Sequence, residues 1–191
     1  NGNSVTSHPL AGTAPKFHDA DSDEMSRQKL LDSTKDAYEH RVTIEWLLNE
    51  LLPFCSYIDA DPEPKIVSLE HVHHLGTEVA GQLSTPACSI LELVNALHPT
   101  PAVGGDPQTE ALAIIKRVEG IDRRRYAGPV GWMAADGDGE FAVGIRSAEV
   151  KANTARLFAG VGLVEDSDPQ SELEETEAKF KTMLNTFLST T

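Results

Sequence analysis

Apolar positions along the chain change period several times, and the changes mark the elements. Residues 5–13 (VTSHPLAGT) read as a short strand running into a glycine turn. Asp21 to Glu24 has the form of a helix N-cap followed by an acid in the first turn. A long helical pattern follows. It places Leu31, Tyr38 and Val42 on one stripe, with Leu47, Leu48, Leu51 and Leu52 extending the burial to a stop at Pro53. Residues 56–65 are rich in Asp and Pro and read as a loop, and residues 65–69 and 72–77 as strands.

A second helix is predicted from Asp106-Pro107, an N-cap with proline at the first helical position. Ala111, Ile115 and Val118 form its apolar face and Gly120 ends it. Residues 126–134 and 140–148 flank the turn sequence Asp136-Gly137-Asp138-Gly139, which signals a hairpin. Strand alternation puts Phe141, Val143 and Ile145 on one face and Ala142, Gly144 and Arg146 on the other. Residues 155–164 read as another strand, ending in Gly160-Val161-Gly162. Asp168-Pro169 caps a last helix with Leu173, Phe180, Leu184 and Phe187 as its buried stripe. Antiparallel strands beside long helices make the class α+β.

Composition narrows the function. The chain has 191 residues, 40% of them hydrophobic, enough for a sizeable core. The net charge of −14 argues against nucleic acid, since phosphate contacts need clustered Lys and Arg. No apolar run has the roughly 18 residues of a membrane helix, and no signal-peptide pattern opens the chain. Cys55 and Cys88 have no metal-type spacing and read as buried free thiols in a reducing, cytoplasmic setting. The first residue is Asn1, and an N-terminal part is expected to be missing.

Three groups of residues could carry chemistry. Glu172, Glu175 and Lys179 share one face of the last helix by their i, i+3, i+7 spacing. Such carboxylates suit Mg2+, which takes one or two of them and keeps waters; a solvated face with a Glu–Lys pair has the same spacing. His71, His73 and His74 allow zinc ligation or simple surface and core roles, and no third ligand is signposted. Glycines 160 and 162 let backbone N–H groups approach an anion, or mark a tight bend.

Taken in order, several segments resemble the chorismate-utilising enzymes, namely isochorismate, anthranilate, aminodeoxychorismate and salicylate synthases. They are Pro9-Leu10-Ala11-Gly12-Thr13, Lys35-Asp36 with Glu39-His40, His74-Leu75 and Tyr126-Ala127-Gly128-Pro129-Val130-Gly131-Trp132. Further on come Gly139-Glu140, Ile145-Arg146, Ala159-Gly160-Val161-Gly162, Ser167-Asp168-Pro169 and Glu174-Glu175-Thr176 with Lys179. The loop Leu97-His98-Pro99-Thr100-Pro101-Ala102-Val103-Gly104-Gly105 is most similar to that of isochorismate synthases.

The resemblance implies the C-terminal part of a single chorismate-binding domain over residues 1–191, with the anthranilate synthase component I-like fold. It implies a Mg2+-dependent isomerase acting on chorismate, whose product feeds siderophore, menaquinone or salicylate synthesis. Glu39 and Glu175 match the Mg2+-binding glutamates, and Glu172 a carboxylate assisting the same ion. Arg146 and Lys179 match positions that bind the pyruvyl carboxylate. Gly12, Thr13, Gly160, Val161 and Gly162 match backbone and hydroxyl contacts to the substrate. His74 matches a histidine near the departing ring hydroxyl and, with Glu39 and Glu175, is a candidate catalytic residue. The family's Lys base and Glu acid have no matching position here, so the upstream half of the same enzyme is the expected partner.

Overall fold

The computed structural model describes residues 2–188. The outer ends of the expected single domain, Asn1 and residues 189–191, lie outside the described residues. The chain divides into two compact units, residues 1–102 with 133–140, and residues 103–132 with 141–191. Antiparallel strands pack with helices, so the α+β class is the one found.

The first unit opens with β1 (Ser4–Ser7) and β2 (Leu10–Pro15), two strands where one was expected. They belong to different sheets. Helix α1 (Ala20–Leu31) is capped by Asp19, whose carboxylate accepts from the Ser22 N–H at 2.9 Å, so it starts before the predicted Asp21. The long helix expected after it is two helices. Ser33 caps α2 (Thr34–Leu51), its hydroxyl accepting from Asp36 N–H at 3.2 Å. The break resets the helical phase. Leu30 and His40 are therefore buried, with Leu47 and Leu51 buried as expected, while Leu31, Tyr38 and Leu52 are exposed.

A 3-10 turn (Leu52–Phe54) leads into β3 (Cys55–Ala60), a strand where a loop was expected. Pairing with a neighbour overrides the poor strand propensity of its Asp59. Then follow β4 (Lys65–Ser68), β5 (Val72–Gly76), β6 (Val79–Leu83) and α3 (Ile90–Leu97). Helix α3 carries a Ser89–Glu92 capping box, a local signature that apolar periodicity passes over. One antiparallel sheet has the order β1-β6-β3 and the other β2-β5-β4. Leu47, Leu51, Val79, Leu83 and Leu93 form one core, and Ala14, Leu30 and Leu75 a second.

A short helix α4 (Pro101–Gly104) stands where an irregular loop was expected. In the second unit α5 (Gln108–Val118) begins after Pro107, which takes the cap position itself with no side-chain cap bond. Val118, expected on the apolar face of α5, is exposed. The predicted hairpin is present as β7 (Pro129–Met133) and β8 (Gly139–Val143). Its strand alternation stops at Val143, because Arg146 takes a positive φ of 50° and lies beyond the strand. Ile145 is accordingly exposed, and Arg146 has no sheet face to occupy. Strands β9 (Ser147–Lys151) and β10 (Thr154–Phe158) pair antiparallel, and β10 ends before Gly160-Val161-Gly162.

Helix α6 (Pro169–Leu188) is capped by Asp168, whose carboxylate accepts from Ser171 N–H at 2.9 Å. Its burial departs from the sequence expectation, although Phe180 of the expected stripe is half-buried. Leu173, Leu184 and Phe187 are exposed, Leu173 at 52%, while Glu172 is only 6% exposed. Both cysteines are free thiols, half-buried, and burial pushes each thiol pKa up. Among the described residues no helix is long and apolar enough to cross a membrane.

Candidate functional site

In the first unit the site is built on a bulge in β2. The β2–β5 register shifts between Ala11↔Leu75 and Thr13↔His74, with Gly12 between them at φ +70°. A side chain there would clash, because a Cβ would lie 2.9 Å from Asp36 Cβ and Oδ1. Glycine is thus required both by the backbone and by the closeness of α2. The bulge turns the Gly12 carbonyl and the Thr13 hydroxyl towards the facing strand. His74 Nδ1 lies 3.0 Å from Gly12 O and 3.1 Å from Thr13 Oγ1. A carbonyl can only accept, so that contact places the proton on Nδ1. Gly12, Thr13 and His74 are thereby in mutual contact, although the resemblance gave Gly12 and Thr13 a different role from His74.

Helix α2 supplies the carboxylates of this unit. Asp36 packs over Gly12, and Glu39 lies one turn on, its Oε1 3.9 Å from Lys35 Nζ. The other two histidines of the cluster are engaged differently. His71 precedes β5 and its side chain is exposed. His73 is fully buried, 2.8 Å from both Ser68 Oγ and Asp23 Oδ1. Within each unit taken by itself, no three described His, Cys, Asp or Glu side chains converge as a metal cage.

In the second unit the Asp168 cap sets the phase of α6 and with it the direction of Glu172, Glu175 and Lys179. Lys179 Nζ lies 2.5 Å from Glu175 Oε1 and donates to Gly160 O at 3.1 Å. The opposite side of Gly160 is covered by Tyr126, since a Cβ on Gly160 would lie 3.1 Å from the phenol oxygen. The Tyr126 ring stacks on Phe158 at 5.2 Å between centroids, and the Arg123 guanidinium lies 5.9 Å from its centre. Burial pushes the Tyr126 phenol pKa up, and the positive charges of Arg123 and Arg146 act against that rise. A protonated phenol and an ammonium therefore flank a glycine turn. Such an arrangement can receive a carboxylate, because it offers two donors beside free backbone N–H groups. Gly162 is exposed and a Cβ on it would meet nothing within 4 Å, so space for a ligand exists at that end of the turn. Val161 is half-buried between the two glycines.

Tyr126 and Asp36 stand in segments that carry the resemblance, but the sequence reading gave neither a role of its own. The closeness of each to a glycine singles it out here. Glu39 belongs to the first unit, and Arg146, Glu172 and Glu175 to the second. Glu172 and Glu175, one turn apart on α6, carry the kind of hard carboxylate oxygens that Mg2+ takes.

Comparison with known proteins places these features. The chain is 43% identical to the isochorismate synthase DhbC of Bacillus subtilis over 183 residues, covering 96% of this chain and 46% of that protein. It is 42% identical to the vibriobactin-specific isochorismate synthase of Vibrio cholerae, over 96% of this chain and 46% of that protein. The chain therefore spans about half the length of these curated relatives. The crystal structure of DhbC from Bacillus anthracis superposes with a TM-score of 0.93 at 46% identity, over 97% of this chain and 49% of that one. The sequence profile described as chorismate binding enzyme matches residues 1–188, and the chain belongs to that family.

Proposed function

We propose that the protein is an isochorismate synthase that isomerises chorismate to isochorismate with the help of Mg2+. The observation that carries this reading is 43% identity over 96% of the chain to an isochorismate synthase. The Lys179–Gly160–Tyr126 arrangement supports it, because it suits one carboxylate of a dicarboxylate substrate. Water adds at C2 of the ring, the ring double bonds shift, and the C4 hydroxyl leaves as water, so the sum is an isomerisation.

Glu39, Glu172 and Glu175 are the residues proposed to hold Mg2+. The ion would offset the charge of the ring carboxylate, which the −14 net charge of the chain otherwise repels. Lys179 and Arg146 are proposed to take the pyruvyl carboxylate by charge-assisted hydrogen bonds. Backbone groups of Gly160, Val161 and Gly162, and Gly12 with the Thr13 hydroxyl, are proposed to orient the substrate. His74 is proposed to lie close to the departing C4 hydroxyl and to orient that end of the ring. Proton transfer to the leaving oxygen falls to another group.

The test is direct. The intact protein is incubated with chorismate and Mg2+, and the products are separated by chromatography. Isochorismate as the main product is expected. Anthranilate or aminodeoxychorismate formed with added ammonia would assign the protein to another branch of the family. Binding of chorismate without turnover would mark a non-catalytic binding subunit.

A further inference from the structure

We propose that His40 is a positioning residue that sets the Glu39 carboxylate through a single hydrogen bond to Thr77, a role that rests on the assignment of Glu39 to Mg2+. His40 follows Glu39 directly in α2 and is 3% exposed. Its Nε2 lies 2.7 Å from the hydroxyl of Thr77, which is also 3% exposed. Its other ring nitrogen, Nδ1, is buried without a hydrogen-bond partner.

Those facts fix the state of the ring. A buried N–H without an acceptor is less tolerable than a buried acceptor without a donor. The proton therefore sits on Nε2, which donates to Thr77, and the ring is neutral.

A leucine at this position would bury more apolar surface and leave no nitrogen unsatisfied. A hydrogen bond supplies a defined distance and angle where an apolar contact can slide. What it defines here is the rotation of α2. Thr77 follows β5, the strand of His74, and its N–H lies 3.4 Å from the carbonyl of Pro9, just before β2. One bond thus ties the helix to both strands that make the Gly12 bulge. Asp36, one turn earlier on the same helix stripe, packs over Gly12 itself. With α2 held at Asp36 and at His40, the direction of Glu39 is set by the helix backbone between them.

The experiment measures Mg2+ affinity of the intact protein by titration calorimetry, with Mn2+ electron paramagnetic resonance as a second readout. Thr77→Val removes the acceptor with little change of shape, and Thr77→Ser keeps it. His40→Met removes the donor, and His40→Gln retains one near the same place. Thr77→Val and His40→Met are expected to weaken Mg2+ about tenfold, while the Ser and Gln variants stay within about twofold of the parent. Circular dichroism at the titration temperature establishes that each variant is folded. Should His40→Met not fold, the Thr77 pair decides. Thr77→Val with lowered thermal stability but unchanged Mg2+ affinity would overturn the positioning role. Glu39→Gln separates the two ideas. If it weakens Mg2+ and Thr77→Val does not, only the His40 proposal fails. If it has no effect, the metal assignment fails and the His40 proposal with it.

Discussion

The ammonium of Lys179 lies 2.5 Å from the carboxylate of Glu175, one turn back on α6. The pair is charge-matched, and the same ammonium donates to Gly160 O. A substrate carboxylate at the Gly160 turn would meet a lysine already held in place. Replacing Lys179 by Met is expected to weaken chorismate binding about 10- to 100-fold, the usual range for one charged hydrogen-bond donor. A binding titration monitored by fluorescence checks this, and an unchanged dissociation constant would remove Lys179 from the substrate site.

Glycines 12 and 162 should respond differently to alanine. At Gly12 the positive φ and the 2.9 Å approach of Asp36 leave no room for a Cβ. Gly12→Ala is expected to destabilise the protein by about 1–3 kcal/mol, through strain and displacement of α2. Gly162→Ala meets nothing and is expected to leave the melting temperature unchanged. Thermal melts of the two variants side by side test the contrast.

Asp23 links α1 to β5 and gives the fold a defined acid limit. Its carboxyl is held below the ordinary value of 3.8, first by the hydrogen bond from His73 and then by the Phe17 N–H. A depressed carboxylate pKa contributes stability that is fully present above the unfolded value. That contribution is lost as pH falls through 3.8 towards the folded value. Asp23→Asn should therefore lower the melting temperature at neutral pH and flatten its decline below pH 3.8. A parallel slope in parent and variant would contradict the link.

Tyr126 should act by its hydroxyl alone. Burial keeps the phenol protonated, so it can donate at the Gly160 turn. Tyr126→Phe preserves the stack on Phe158 and is expected to weaken chorismate binding about 2- to 10-fold, as for loss of one neutral hydrogen bond. The melting temperature should not change. A large loss of stability would instead assign Tyr126 to packing.

One part of the candidate site could be read from local spacing, and the reason is chemical. Glu172, Glu175 and Lys179 declare their common face by helix spacing, and Asp168-Pro169 declares where that helix begins. Both features are local, set by backbone hydrogen bonding within a few residues. Gly12-Thr13 and His74 were singled out only by resemblance. Their contact depends on a β2–β5 register that pairs Thr13 with His74 at a sequence separation of 61.

The α+β class, the family, the hairpin turn between Met133 and Gly139 and the helix that bears the carboxylates could all be read from the residues alone. These follow from periodicity, turn chemistry and ordered motifs, which act over short stretches of chain. Only the tertiary structure decided which face of each helix is inside. Ser33 interrupts the first long pattern, so burial passes from Leu31 and Tyr38 to Leu30 and His40, while Leu47 and Leu51 are buried as expected. On α6 the carboxyl-bearing Glu172 is buried and Leu173 is not. Apolar periodicity assumes that burial follows hydrophobicity. A polar side chain is buried wherever a partner elsewhere in the fold offsets its lost hydration, as Thr77 does for His40, and that partner is not visible from local spacing.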